Sequence, residues 1–368
     1  MRISSFGVFR YKLPLTEPLQ MPRRQLYRRE GLLLRLASDE GDVGWGEAVP
    51  LPGFSEERLQ QATREAFKLK RITTGREIAG DWFEEGNDFS HALGDPELSP
   101  SVHFALEQAA WMLAAETREV PVHRLLADGD PHEALPLSRL LAGERGDILG
   151  RLDETKENGY RAVKLKVGQD RSLDDDIQLT RALGERLGPG VALRLDANRA
   201  WSREEARRFA DGIAGVDVTY VEEPLAEPEE LPAFAEETGL PVALDETMRD
   251  VSLVTLEEHA DYAEAAVLKP TILGGFGGLV YFANKAADLG MRPVWSAAYE
   301  AGVAMMGLVA LAACSKGDAA PLGADTYRRI EQDVVHPRLK LEGDASSIDV
   351  EEAVTVKRTL NGHLLREV

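Results

Sequence analysis

Lysines and carboxylates stand at the ends of short apolar runs in the second half of the sequence: Lys164 and Lys166 in YRAVKLKVG, Asp196 in VALRLDAN, Glu222 in VTYVEEPL, Asp245 in PVALDE and Lys269 in AAVLKPT. Carboxylates brought close together repel and take up protons unless a cation neutralises them, and an all-oxygen set favours a hard ion. Asp196, Glu222 and Asp245 are therefore candidate ligands of Mg2+, with Mn2+ as the alternative. One such acid alone is as readily a helix N-cap; three in consecutive units weaken that explanation. Lys164 and Lys166, at i and i+2, share one face of a strand, and Lys269 faces them if the strands close into a barrel. A lysine base working near pH 7 to 8 needs its pKa lowered by about three units, and a second ammonium and a metal both push that way. The set suits removal of a proton alpha to a carboxylate while a metal stabilises the enediolate. Lys166 lies nearer the C-terminal end of its strand and is the expected base. None of the seven histidines falls at a run end, which argues against a histidine base or a His-rich zinc site.

For these residues to meet, the chain must return each run end to one place. Lys166, Asp196, Glu222, Asp245, Lys269, Ser296 and Asp325 follow one another at intervals of 23 to 30 residues. One strand plus one helix per interval is the step of a (β/α)8 barrel, whose mouth gathers the C-terminal strand ends; an open doubly wound sheet is the alternative. Eight runs fit: 134–143, 160–168, 191–198, 218–225, 241–246, 265–271, 292–300 and, less clearly, 320–326. Upstream, Leu32 to Leu36, the turn residues 38–42 and Val43 to Glu47 read as a hairpin, and Ser99-Pro100 opens a helix with Val102, Leu106, Ala109, Ala110 and Leu113 on one face. The polar, strand-like Val354 to Arg358 is expected to return to this first part. The expected fold class is thus α/β, a (β/α)8-type barrel (126–334) with an α+β N-terminal capping domain (1–125) completed by the C-terminal segment (335–368).

With 63 acidic against 43 basic residues and a net charge of −20 over 368 residues, the chain is ill suited to nucleic acid or an anionic membrane. A small anionic carboxylate substrate would need local cations. The apolar run Ala301 to Cys314 is too short to span a bilayer and reads as a buried helix. A single cysteine, Cys314, and a start without a signal-like apolar segment fit a reducing cytoplasm. The GGFGG run (274–278) lacks dinucleotide-fingerprint spacing; a turn, or a substrate-carboxylate contact at a helix N-terminus, suits it better. Oligomeric state is not legible.

GWGEAVPLPGFSEE (44–57), KLK (164–166), RLDANRAW (194–201), VEEPL (221–225), ALDE (243–246) and LKPT (268–271), in this order, resemble the muconate-lactonizing branch of the enolase superfamily, and within it the o-succinylbenzoate synthases of menaquinone biosynthesis. The resemblance covers nearly the whole chain. It implies that Asp196, Glu222 and Asp245 hold Mg2+, that Lys166 is base and acid, that Lys164 modulates it and that Lys269 faces the intermediate. The implied reaction is the syn dehydration of 2-succinyl-6-hydroxy-2,4-cyclohexadiene-1-carboxylate. The run after the seventh strand, Trp295-Ser296-Ala297-Ala298-Tyr299-Glu300, departs from serine-rich relatives, and Glu300 is given no role. The succinyl carboxylate is expected near Gly274, Gly275 and Ser296, and the ring under a lid of Leu19, Met21 and the Pro50 to Phe54 loop. Dipeptide epimerases and N-succinylamino acid racemases share the two-lysine layout. A metal-free Schiff-base lyase acting through Lys269 and a non-catalytic protein on the same scaffold are the readings of other classes.

Overall fold

The structure, a computed structural model, describes residues 1–21, 24–79, 82–83, 88–169, 171–188, 190–341, 347–355 and 358–368. Its strands in chain order are β1 (Ile3–Met21), β2 (Arg24–Ser38), β3 (Val43–Ala48), β4 (Ala134–Pro136), β5 (Ser138–Leu141), β6 (Ala162–Lys166), β7 (Ala192–Asp196), β8 (Tyr220–Glu222), β9 (Val242–Leu244), β10 (Ala263–Leu268), β11 (Arg292–Trp295), β12 (Val335–His336), β13 (Ser347–Asp349), β14 (Thr359–Leu360) and β15 (Leu365–Glu367).

The cap is an antiparallel sheet of order β15-β1-β2-β3. The hairpin read from the sequence is β2–β3, with Leu32 opposite Ala48 and Ala37 opposite Val43. The helix Pro100–Arg118 lies on this sheet and buries Val102, Leu106, Ala109, Ala110 and Leu113 completely. Glycine is required in the GWG run by this contact. A Cβ at Gly44 would stand 1.9 Å from the Ala109 carbonyl oxygen, and one at Gly46 1.8 Å from that of Ala105. Ser99 is the N-cap residue, but its hydroxyl donates to Glu65 at 2.6 Å and so ties this helix to the helix Leu59–Thr73 rather than closing its own first turn.

The second sheet is parallel, of order β11-β10-β9-β8-β7-β6-β5. Leu322 and Gly323 close the ring: Leu322 bridges Leu137 beside β5, and Gly323 bridges Ser296 just after β11. The faint eighth strand is therefore a two-residue contact. Beneath the mouth the barrel is filled by Tyr220, Ala243, Ala265, Val267 and Val294. The guanidinium of Arg194 stacks 5.5 Å from the Tyr220 ring and donates to the Pro321 carbonyl at 2.8 Å. The apolar run near the end of the barrel forms the buried helix Gly302–Ala313.

Two expectations are corrected. The run 134–143 is not one strand: β4 leaves the barrel to pair with β13, and only β5 joins the ring. The segment expected to be a strand at 354–358 instead closes the helix Val350–Thr355 before β14, with Val356 and Lys357 outside the described residues. The return to the first part is made by β15, which lies along β1 with Phe9 opposite Glu367.

Candidate active site

Strand register brings the expected residues to one level. Lys166 pairs with Asp196 across β6 and β7, and Asp196 pairs with Glu222 across β7 and β8. Asp245 stands just beyond β9 and Lys269 just beyond β10, each at the start of a short helical turn. The Lys164 ammonium lies 2.7 Å from Glu222 and 2.8 Å from Asp196, the Lys166 ammonium 2.6 Å from Asp196, and Lys269 is ion-paired with Asp245. All three carboxylates are buried.

Charge is unevenly held in this cluster. Burial pushes Asp196 up, but Lys164, Lys166 and Lys269 outweigh it and hold the carboxyl well below the usual range. Asp245 is lowered too, its burial overcome chiefly by Lys269. Glu222 goes the other way: burial and the neighbouring Asp196 raise it well above the ordinary value. One of its oxygens, Oε2, is buried without a hydrogen-bond partner. Burial favours neutral amines, yet Asp196, Glu222 and Asp245 more than compensate at Lys164, and Asp245 does so at Lys269, so both are raised. Among these side chains alone, the acids dominate at Lys164 and Lys269.

Two further residues position the cluster. Asn198 accepts from the Lys166 ammonium at 2.5 Å and donates to Glu246 at 3.1 Å. Glu223 is fully buried and accepts from the backbone amides of Asp245 at 2.9 Å and Thr247 at 2.6 Å, and from Arg199 at 2.9 Å. It thereby fixes the turn that carries Asp245. Asn198, Arg199 and Glu223 all have positive φ (45°, 59° and 42°), strained backbone for side-chain-bearing residues that their contacts hold in place. The sequence signals were present in the DAN and EEP runs, but strict alternation aims Glu223 away from the site, and only its left-handed backbone brings it back.

The mouth opens into a cavity of about 320 Å3. Its walls include Leu19, Met21, Leu51 and Phe54 from the cap and Ser296, Ala298 and Tyr299 from the segment after β11, while Lys164, Lys166, Asp196, Asn198 and Lys269 reach it from the strand ends. Gly274 and Gly275 are not brought into this wall. They have φ of 83° and 74° and lie against Pro100 and His103, because the turn after Pro270–Leu273 heads toward the cap helix. Asp325 lines the cavity but is bound by Arg139 at 3.2 Å and Arg328 at 3.0 Å. Glu300 is a structural acid, accepting from the Thr271 hydroxyl at 2.6 Å.

Among the described residues, the group whose possible ligand atoms lie within 4.8 Å of one another is not the strand-end set but Asp88, His103 and Glu107. There Glu107 accepts from the amides of Phe89 at 2.8 Å and Ser90 at 2.7 Å and so caps the short helix Phe89–Ala92. Among the described residues no helix is long and apolar enough to cross a membrane.

Residues 148–351 match the enolase C-terminal domain-like family, and residues 3–113 match MenC, N-terminal domain. The chain is similar to the o-succinylbenzoate synthase of Pasteurella multocida, 30% identical over 366 residues that span 96% of this chain and 98% of that protein. It is equally similar to that of Haemophilus influenzae, 30% over 360 residues, 97% and 99% covered. Among solved structures, N-succinyl Arg/Lys racemase from Bacillus cereus superposes with a TM-score of 0.85 at 19% identity, with 100% of both chains covered. A dipeptide epimerase from Cytophaga hutchinsonii complexed with Mg and a dipeptide superposes with a TM-score of 0.85 at 20% identity, 100% of this chain and 99% of that one covered. At such identities these two speak for the fold alone. A parallel barrel under an antiparallel cap, matched by that family, is the architecture of an enolase-superfamily enzyme. Within the superfamily, the chain belongs to the family of the o-succinylbenzoate synthases.

Proposed function

We propose that this chain dehydrates 2-succinyl-6-hydroxy-2,4-cyclohexadiene-1-carboxylate to o-succinylbenzoate, in the menaquinone pathway of a reducing cytoplasm, with Mg2+ or Mn2+ as cofactor. The observation that carries the reading is the level of Lys166, Asp196 and Glu222 at the strand ends, with Lys164 one step behind them and the Asp245–Lys269 pair beside them, in a chain with these relatives. The site fits a divalent ion. Asp196, Glu222 and Asp245 offer oxygen only, and Glu222, raised by burial and by Asp196, keeps one buried oxygen without a partner. An ion held by Asp196, Glu222 and Asp245 would supply positive charge to a substrate carboxylate whose alpha proton is being removed, and counter-charge to the three acids.

Lys166, held by Asn198 at the mouth, removes the proton alpha to the carboxylate. The bond between ring carbon and hydroxyl then breaks as Lys166 gives the proton back to the departing oxygen. Water leaves from the face on which the proton was taken, and the ring becomes aromatic. Lys164, behind it, sets a second positive charge beside Lys166, and Lys269 faces the intermediate from the other side. A Schiff-base role for Lys269 is disfavoured, since its ion pair with Asp245 keeps the amine protonated. Leu19, Met21 and Phe54 cover the ring and keep bulk water away. The same reading divides the chain into a cap of residues 1–125 plus 335–368 and a barrel of 126–334. Incubating the purified protein with the cyclohexadiene acid and Mg2+ should yield o-succinylbenzoate; an unchanged substrate under those conditions would overturn the proposal.

A further inference from the structure

The product named above carries two carboxylates, and the cluster at the strand ends accounts for one. Among the described residues, the cavity wall also contains the guanidinium groups of Arg249 and Arg329. Each lysine in the wall is already paired with an acid, whereas neither arginine has a carboxylate within 4.0 Å among the described residues. Among the described residues, the one wall acid outside the cluster, Asp325, is taken by Arg139 and Arg328. Among the described residues, the cavity therefore holds positive charge that no carboxylate side chain answers.

The two arginines stand in different places. Arg249 ends the turn Glu246–Arg249 that begins at Asp245, so it belongs to the side of the cluster. Arg329 ends the turn Asp325–Arg329 at the seam between barrel and cap, where Leu15 bridges Ile330 and the Thr16 hydroxyl donates to the Arg329 carbonyl at 3.5 Å. Tyr299 lines the same cavity, and its phenol lies in the fields of Arg329, Arg29 and Lys269. Burial keeps that phenol protonated, so it is available as a donor.

Resting on the synthase reading, we propose that Arg329, assisted by the Tyr299 hydroxyl, binds the second carboxylate of the substrate, at the end of the succinyl arm. A guanidinium presents paired N–H donors that match a carboxylate, which a lysine cannot reproduce. A site built for that group rejects ligands that lack it, because its donors would be left unpaired. Arg329 thus takes the place that the sequence assigned to Gly274 and Gly275, which face the cap helix instead.

The test is a pair of ligands on the Mg2+-loaded full chain, measured by calorimetry: o-succinylbenzoate and 2-butyrylbenzoate, in which a methyl replaces the terminal carboxylate. Wild-type protein should prefer the dicarboxylate at least about tenfold, the scale of one charge-assisted contact. Arg329→Met should bring the two affinities together, Arg329→Lys should retain part of the preference, and Arg249→Met should leave it as in wild type. In turnover, Arg329→Met should raise KM much more than it lowers kcat. Full preference in both Arg329 variants, or its loss in Arg249→Met, would overturn the assignment. Failure of the synthase reading is seen separately, as absence of dehydration by the wild type, while the ligand pair still reports on Arg329.

Discussion

Glu47, next to last in β3, has no exposed surface and joins the cap to the barrel. One oxygen accepts from the Tyr11 hydroxyl at 2.5 Å and the Ala301 amide at 2.8 Å, and the other accepts from the Ala304 amide at 2.9 Å. Beside it, Arg29 donates to the carbonyls of Val49, Pro50 and Tyr299, so the segment that forms one cavity wall hangs from the cap. Burial pushes the Glu47 carboxyl from 4.5 to about 7, against the pull of Tyr11 and the two amides. A carboxyl raised on folding binds its proton more tightly in the folded state. Its contribution to stability is therefore fully present below pH 4.5 and is lost as pH rises through about 7. At ~1.36 kcal/mol per pH unit the loss amounts to about 3 kcal/mol. Glu47→Gln cannot ionise. It sets an amide against an existing donor, at a cost of about 1–3 kcal/mol that does not vary with pH. Urea unfolding of both proteins between pH 4.5 and 8 should show the wild type losing about 3 kcal/mol relative to the variant. Glu107, also pushed up to about 7 by burial, titrates in both proteins and cancels in the difference. A difference that stays flat across this range would refute the reasoning.

Three further outcomes follow. Lys166→Ala should lower alpha-proton exchange by at least the ~10²–10⁴ typical of a general base, since among the described residues no histidine lines the cavity to replace it; normal exchange in this variant, with loss in Lys164→Ala, would reverse the two assignments. Exhaustive chelation should abolish turnover, added Mg2+ should restore it, and borohydride with substrate should leave Lys269 unmodified; covalent trapping with full activity in EDTA would instead support the Schiff-base reading. Gly46→Ala should destabilise by about 3 kcal/mol or more in urea, because the new Cβ would stand 1.8 Å from a helix carbonyl; a loss below about 1 kcal/mol would mean that β3 can back away from the helix.

The gathering of the strand-end residues was legible because its signal is local. A polar residue closing an apolar run at barrel spacing must come to the mouth, and Lys166, Asp196 and Glu222 do so through backbone register alone. The helix Gly302–Ala313 was legible for a similar reason, as an apolar stretch with no polar face. What depends on contacts distant in sequence was hidden. Glu47 meets Ala301 from 254 residues away, and nothing in the GWGE run announces that partner. The direction of the turn at Gly274 and Gly275 is set by the cap helix on which it packs, and glycine permits either direction. Glu223 was missed because a residue in left-handed backbone breaks the alternation on which strand reading depends. The eighth strand was faint because two residues suffice to close the ring.

The central claim is dehydration at this site, and the direct measurement is kcat/KM for the cyclohexadiene acid beside that for epimerising dipeptides and racemising N-succinyl amino acids, with the same protein, buffer and Mg2+. Dehydration should exceed both. Dominant epimerase or racemase activity would contradict the synthase assignment while leaving the barrel, its cap and the acid–lysine cluster as described.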